Sequence, residues 1–168
     1  MGSTARKSSL PKLSLATIVA LLVTAPLAWA AEGEPTRDDY VAQVEPICKA
    51  NTEANARILK GVKQQVQQDR LVPAGKRFIR ASGALGKAVT QIAAVPKPAA
   101  DAVKLETWIG FLKQEKSFLQ RIGKALKSQD KFKAQKLAVQ LNRNNNKANN
   151  TVISFGFREC RIDSSRFI

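Results

Sequence analysis

After residue 36 the apolar residues recur at steps of three and four along most of the chain. That spacing gathers them on one face of an α-helix. The first stripe is Tyr40, Val44, Ile47, Ala54, Ile58, Val62 and Val66, and Asn51 falls on it too. Ahead of it, Thr36-Arg37-Asp38-Asp39 has the form of a capping box. Thr36 would accept from the first turn, and two carboxylates would sit where the helix dipole favours negative charge. Pro46 lies inside the stripe, lacks an N–H and clashes with the carbonyl four residues back, so a kink or break is expected there.

Residues 67–72 are polar enough for a loop, and Pro73 suits an early helical position. Phe78, Ser82, Leu85, Val89 and Ile92 make the second stripe. Gly75, Gly83 and Gly86 each weaken that helix by about 1 kcal/mol against alanine, or else permit a close helix approach. Val95-Pro96-Lys97-Pro98 is the clearest break, and Asp101 falls in the first turn of a third helix. Its apolar face is Leu105, Trp108, Leu112, Leu119, Ile122 and Leu126, widened by Phe111 and Phe118. Lys113, Lys116, Lys124 and Lys127 cluster roughly opposite. Ser128-Gln129-Asp130 offers caps for a turn. The fourth stripe is Phe132, Leu137, Leu141, Ala148, Val152 and Phe155, with Gly156 as a C-terminal stop and an irregular tail over 157–168. Four such stripes and short connections predict an all-α fold, an antiparallel up-and-down four-helix bundle.

The segment ahead of the bundle changes the picture. Residues 1–12 carry Arg6, Lys7 and Lys12 and no acid; residues 13–27 are apolar; Ala28-Trp29-Ala30 places small residues where a signal peptidase reads. This is the order of a secretory signal peptide cleaved after Ala30. The run is shorter than the ~20 residues that span a bilayer, and Pro26 interrupts it, so a retained anchor is the weaker reading. No cysteine follows it directly for a lipid anchor, and Arg6-Lys7 matches a twin-arginine signal only weakly. The expected organisation is a signal peptide over 1–30 and one helical-bundle domain over 31–168. The expected place is the periplasm, the cell envelope or the extracellular space, with no transmembrane segment after cleavage.

Composition narrows the chemistry. The 168 residues contain no histidine, one methionine and two cysteines. Imidazole bases, Ser-His and Cys-His couples and histidine metal or haem ligands are therefore excluded, and two cysteines alone make a poor zinc set. The thirteen carboxylates are scattered among lysines. The chain is expected not to be an enzyme, with no catalytic residues, no metal and no cofactor.

Two cysteines in an exported chain read as a disulfide. Cys48 and Cys160 are the only pair available, and an up-and-down bundle brings the two chain ends together. A redox pair would usually sit close together as C-x-x-C.

The full chain has a net charge of +15, and residues 31–168 keep 25 basic against 13 acidic residues, or +12. The excess lies over 60–168, with 22 basic and 7 acidic residues, whereas 31–59 holds 3 and 6. Either this is a solvated lysine face or it binds an anion: an envelope phosphate polymer, lipid headgroups or extracellular nucleic acid. Export argues against genomic DNA, and no aromatic residues interleave the lysines as a stacking platform. The candidate anion site is Lys113, Lys116, Lys124, Lys127 and Lys131. Trp108 and the phenylalanines are at core spacing. Asn51 and the asparagines of 142–150 suit either a polar layer between the first and last helices or, for most of them, an outer face. Asn149-Asn150-Thr151 fits the glycosylation pattern, though on a helix.

Tyr40, Ile47-Cys48, Val95-Pro96-Lys97-Pro98 and Phe155-Gly156-Phe157-Arg158-Glu159-Cys160 together give a layout that resembles uncharacterised small exported two-cysteine helical proteins of actinobacterial type. Pro46 beside the cysteine departs from that pattern, and the resemblance implies no functional residue. The expectation is a non-enzymatic exported basic bundle that binds an anionic envelope or extracellular partner. The alternative is a structural or protein-interaction module of the envelope, chaperone-like, working through an apolar groove.

Overall fold

The computed structural model of the protein describes Gly2 and residues 33–162. The expected signal peptide, Gly2 apart, and residues 163–168 lie outside the described residues. Four long helices and one short one follow: α1 (Arg37–Leu59), α2 (Val62–Gln67), α3 (Leu71–Ala94), α4 (Ala102–Lys127) and α5 (Lys131–Thr151). Among the described residues there is no strand. The long helices form the expected bundle. α1 packs on α3, α3 on α4 and α4 on α5. The pairing of α3 with α4 is antiparallel: Gly75 lies against Gly123 and Lys127, whereas Gly86, further along α3, lies against Lys116. Trp108, Tyr40, Leu105, Ile109 and Val44 are the largest fully buried side chains of the core.

The cap of α1 forms as the sequence indicates. The Asp39 N–H donates to Thr36 Oγ1 at 3.1 Å, and the Thr36 N–H donates to Asp39 Oδ2 at 3.0 Å. Pro46 does not break α1, which runs through it to Leu59. The lost backbone bond is tolerated because Tyr40, Val44 and Cys48 on both sides of the proline are buried. α1 ends sooner than its stripe, however. Lys60 is extended and Gly61 is left-handed at φ +77°, so Val62 and Val66 belong to α2. Arg77 of α3 fixes this corner by donating to the carbonyls of Ile58 and Lys60. The segment 67–72, expected as a loop, is shorter: α3 already begins at Leu71.

α5 also departs from its stripe. It starts on the Asp130 cap, whose Oδ1 accepts from the Lys133 N–H at 2.9 Å, and it ends at Thr151. Phe132, expected in the core, is 69% exposed, with the Lys136 ammonium 5.0 Å from its ring centroid. Val152 and Phe155 are buried, but they lie in the turn that follows the helix. Gly156, left-handed at φ +67°, then reverses the chain. Phe157 stacks on Trp108, ring centroids 5.2 Å apart, and on Phe155 at 5.6 Å.

This returning tail closes the bundle. α1 and α5 barely touch one another directly, and residues 155–162 fill the space at one end of their seam. Cys160 is bonded to Cys48, 112 positions away in sequence, with Cα atoms 5.0 Å apart. Glu45 of α1 accepts the Arg158 N–H at 2.7 Å and the Glu159 N–H at 2.9 Å. On the other side, Asn149 of α5 donates to the Ile162 carbonyl and accepts its N–H, both at 2.9 Å. The Asn149 amide, the acceptor position of the glycosylation pattern, thus holds the tail through both its nitrogen and its oxygen.

Candidate basic face and internal cavity

The close approach of Gly75 and Gly123 fixes which side chains flank the α3–α4 seam. At 100° per residue, Lys76, Arg80 and Lys87 fall on the solvent side of that seam on α3. Lys113, Lys116, Lys124 and Lys127 fall on the same side on α4. All seven are exposed. The stems of Lys116 and Lys127 lie across α3 at Gly86 and Gly75, apolar stem on the neighbouring helix and ammonium toward water. α3 contains no acidic residue. The two acids of α4 lie elsewhere: Glu106 pairs with Lys97 at 3.0 Å, and Glu115 lines an internal cavity. Among the described residues, none of the seven cations has an ion-pair partner.

Four of the five lysines singled out in the sequence are therefore on one face. Lys131 is not with them. It stands at the start of α5, where its ammonium bonds Asp69 Oδ1 at 2.6 Å. Lys76, Arg80 and Lys87 were missed because the second stripe was read for its apolar side alone. Their spacing of four and seven residues, read alone, would have found them.

The second feature is a cavity of about 160 Å³ between α1, α3, α4, α5 and the returning tail. Its walls are mostly apolar, and include Phe78, Leu85, Leu112 and Leu141. Polar side chains from three helices also line it: Asn51, Thr52 and Asn55 of α1, Glu115 of α4 and Asn145 of α5. Asn145 is 1% exposed, and neither its Oδ1 nor its Nδ2 has a hydrogen-bond partner in the protein. Asn55 is 8% exposed; its Nδ2 donates to Asn51 Oδ1 at 3.3 Å, and its own Oδ1 is unpartnered. Trp108, whose indole Nε1 also lacks a partner, lines the same cavity. Glu115 meets no charged neighbour, and burial alone raises its carboxyl from 4.5 to about 8. Buried polar groups are nearly always hydrogen-bonded, so this concentration of groups unpaired within the protein makes the cavity the candidate interior site.

Asn51 and Asn55 of α1 and Asn145 of α5 line the same cavity, but no hydrogen bond joins the two helices through them. Asn144, at the neighbouring position, donates to the Phe111 carbonyl at 3.0 Å. Asn142, Asn146 and Asn150 are exposed, on the outer face expected of most of the cluster. Asn55 and Glu115 escape sequence reasoning because one polar residue on an apolar helix face looks like a face boundary.

No family model, curated protein or solved structure matches the chain. No described helix is long and apolar enough to cross a membrane, and the chain's one disulfide, Cys48–Cys160, leaves no free cysteine.

Proposed function

We propose that the chain is an exported, non-enzymatic protein that binds a phosphate-bearing polymer of the cell envelope through the outer α3–α4 face. One observation carries this reading: seven exposed cations flank a single helix seam with no acid among them. Lys76 to Lys87 spans about 16 Å along α3, and Lys113 to Lys127 spans about 21 Å along α4. A double row of that length suits an extended polyanion better than a single small anion. The field of such a row concentrates anions and steers their approach.

Export is supported by the leader pattern ahead of residue 31 and by a disulfide, which persists in oxidising compartments. The chaperone-like alternative needs a continuous apolar surface. The large exposed apolar side chains are instead dispersed: Val103 opens α4 and Phe132 opens α5, at opposite ends of the bundle.

The test uses residues 31–168 and inorganic polyphosphate as the probe, at low and at physiological salt. Binding should weaken steeply as salt rises. It should be lost when Lys76, Lys87, Lys113 and Lys124 are changed to glutamine. The same change at Lys60, Lys63, Lys133 and Lys136 should leave most of it. Equal loss in both variants would mean that total charge, and not this face, does the binding. Salt-independent retention would reject the anionic partner.

A further inference from the structure

We propose that the cavity enclosed by α1, α3, α4, α5 and the tail is a binding site for a small primary ammonium with a short apolar body, held by Glu115, Asn55 and Asn145.

The size comes first. A cavity of about 160 Å³ matches a ligand of roughly benzene size; an apolar cavity of ~150 Å³ is known to take benzene. This one differs in having polar groups on its walls. Its apolar walls would take a hydrocarbon body, and its polar groups would fix one end.

The polar groups then select the class. Asn55 Oδ1 and Asn145 Oδ1 are unpartnered acceptors, and the Glu115 carboxylate adds two more oxygens. Against these four oxygens stand two unpartnered donor nitrogens, Asn145 Nδ2 and Trp108 Nε1. An ammonium brings three donors and no acceptor, which complements that excess. A carboxylate ligand would meet acceptors and a like charge.

Charge points the same way. Glu115 is the one ionisable side chain that the helices contribute to the lining; α1, α3 and α5 present none. The tail adds Arg158, Glu159 and Arg161, all exposed at the rim, where solvent screens them. Glu115 is half-buried, and a carboxyl drawn out of water without a counter-charge holds its proton, as the rise to about 8 reflects. An ammonium supplies the missing counter-charge, and its binding displaces that proton. Affinity should therefore rise by up to ~10-fold per pH unit below pH 8 and then level off. The site is independent of the basic α3–α4 face, which lies on the outside of the bundle.

The experiment titrates residues 31–168 with benzylamine, benzyl alcohol and benzoate by calorimetry at pH 6 and pH 8. Folding of each variant is checked by circular dichroism. Benzylamine should bind one per chain, more tightly at pH 8, and should shift the Trp108 indole resonance. Glu115→Gln, which keeps shape and hydrogen bonding, should abolish the pH dependence and cost at least ~10-fold in affinity. Asn145→Leu should weaken binding without removing the pH dependence. Benzyl alcohol or benzoate binding as tightly as the amine would overturn the proposal. So would benzylamine binding that Glu115→Gln leaves unchanged, or no binding by any of the three, in which case the cavity holds water only.

Discussion

Gly75 on α3 and Gly123 on α4 exclude each other's side chains. A β-carbon at Gly75 would stand 2.5 Å from the Gly123 carbonyl oxygen, and one at Gly123 would stand 2.7 Å from the Gly75 carbonyl oxygen. The obstacle on both sides is backbone, which cannot rotate away as a flexible side chain does. This contact brings the two helices together beside Lys76 and Lys124, so it also sets the distance between the two rows of cations.

Alanine at Gly75 or Gly123 should force the helices apart and cost about 1–3 kcal/mol, the usual range for overpacking. Gly83 is the internal control. Nothing lies within 4 Å of a β-carbon there, and alanine in a helix interior is favoured by about 0.5–1 kcal/mol over glycine. Thermal melting should therefore show Gly83→Ala above the parent and the other two variants below it. A common direction for all three would show that the helices do not approach this closely.

The tail is held by three independent devices: the Cys48–Cys160 bond, the Glu45 carboxylate on two backbone N–H groups, and the Asn149 amide on Ile162. The bond joins positions 112 apart in sequence, a loop for which chain entropy gives at most about 4–5 kcal/mol. Replacing both cysteines with serine should lower the melting temperature of the oxidised protein, and reductant should then change little further. Glu45→Ala should cost about 1–3 kcal/mol and speed hydrogen exchange at the Arg158 and Glu159 amides specifically. If those amides exchange no faster, the tail does not depend on Glu45.

Much of this architecture was legible because helical periodicity is a repeated signal. The four long helices, the Thr36 cap, the Asp130 cap and the break at Val95-Pro96 all follow from local chemistry that the sequence states directly. Phe132 was misplaced because an apolar residue one position into a helix sits at an end, where solvent reaches it whatever its phase. The turn at Gly61 was missed because Val62 and Val66 continue the stripe of α1 in phase while the backbone leaves it. The cavity was the least legible part. Its polar side chains come from positions 51, 52, 55, 115 and 145, and only the tertiary register brings these together. A sequence shows that Asn145 is polar; it does not show that four helices and a returning tail leave its amide unpaired.

The start of α1 is tied to the start of α4 by Arg37 and Asp101. The guanidinium donates through Nε to Oδ2 at 2.8 Å and through Nη2 to Oδ1 at 2.7 Å, and its carbon lies 4.8 Å above the centroid of the Phe155 ring. Asp101 is 6% exposed while the Arg37 side chain is 43% exposed, so this is a half-buried, bidentate pair whose guanidinium also lies over a tail aromatic. The hydrogen bond from Arg37 lowers the Asp101 carboxyl below its ordinary 3.8, against the opposing effect of burial. A carboxyl lowered in the folded state contributes stability that is present above its unfolded value and is lost as pH falls through the folded one. Asp101→Asn should therefore melt lower than the parent at neutral pH, and the two melting curves should converge as pH drops below 3.8. Asp39, lowered by its bonds with Thr36, titrates in the same window and will leave the variant a residual acid limb. Arg37→Lys should not restore the parent, because a lysine keeps the charge but loses the bidentate fork and the flat contact with Phe155. Melting Arg37→Lys, Asp101→Asn and the double variant across pH separates the pair from its parts. A gap between parent and Asp101→Asn that persists unchanged in acid would show that the carboxylate is not what holds this corner.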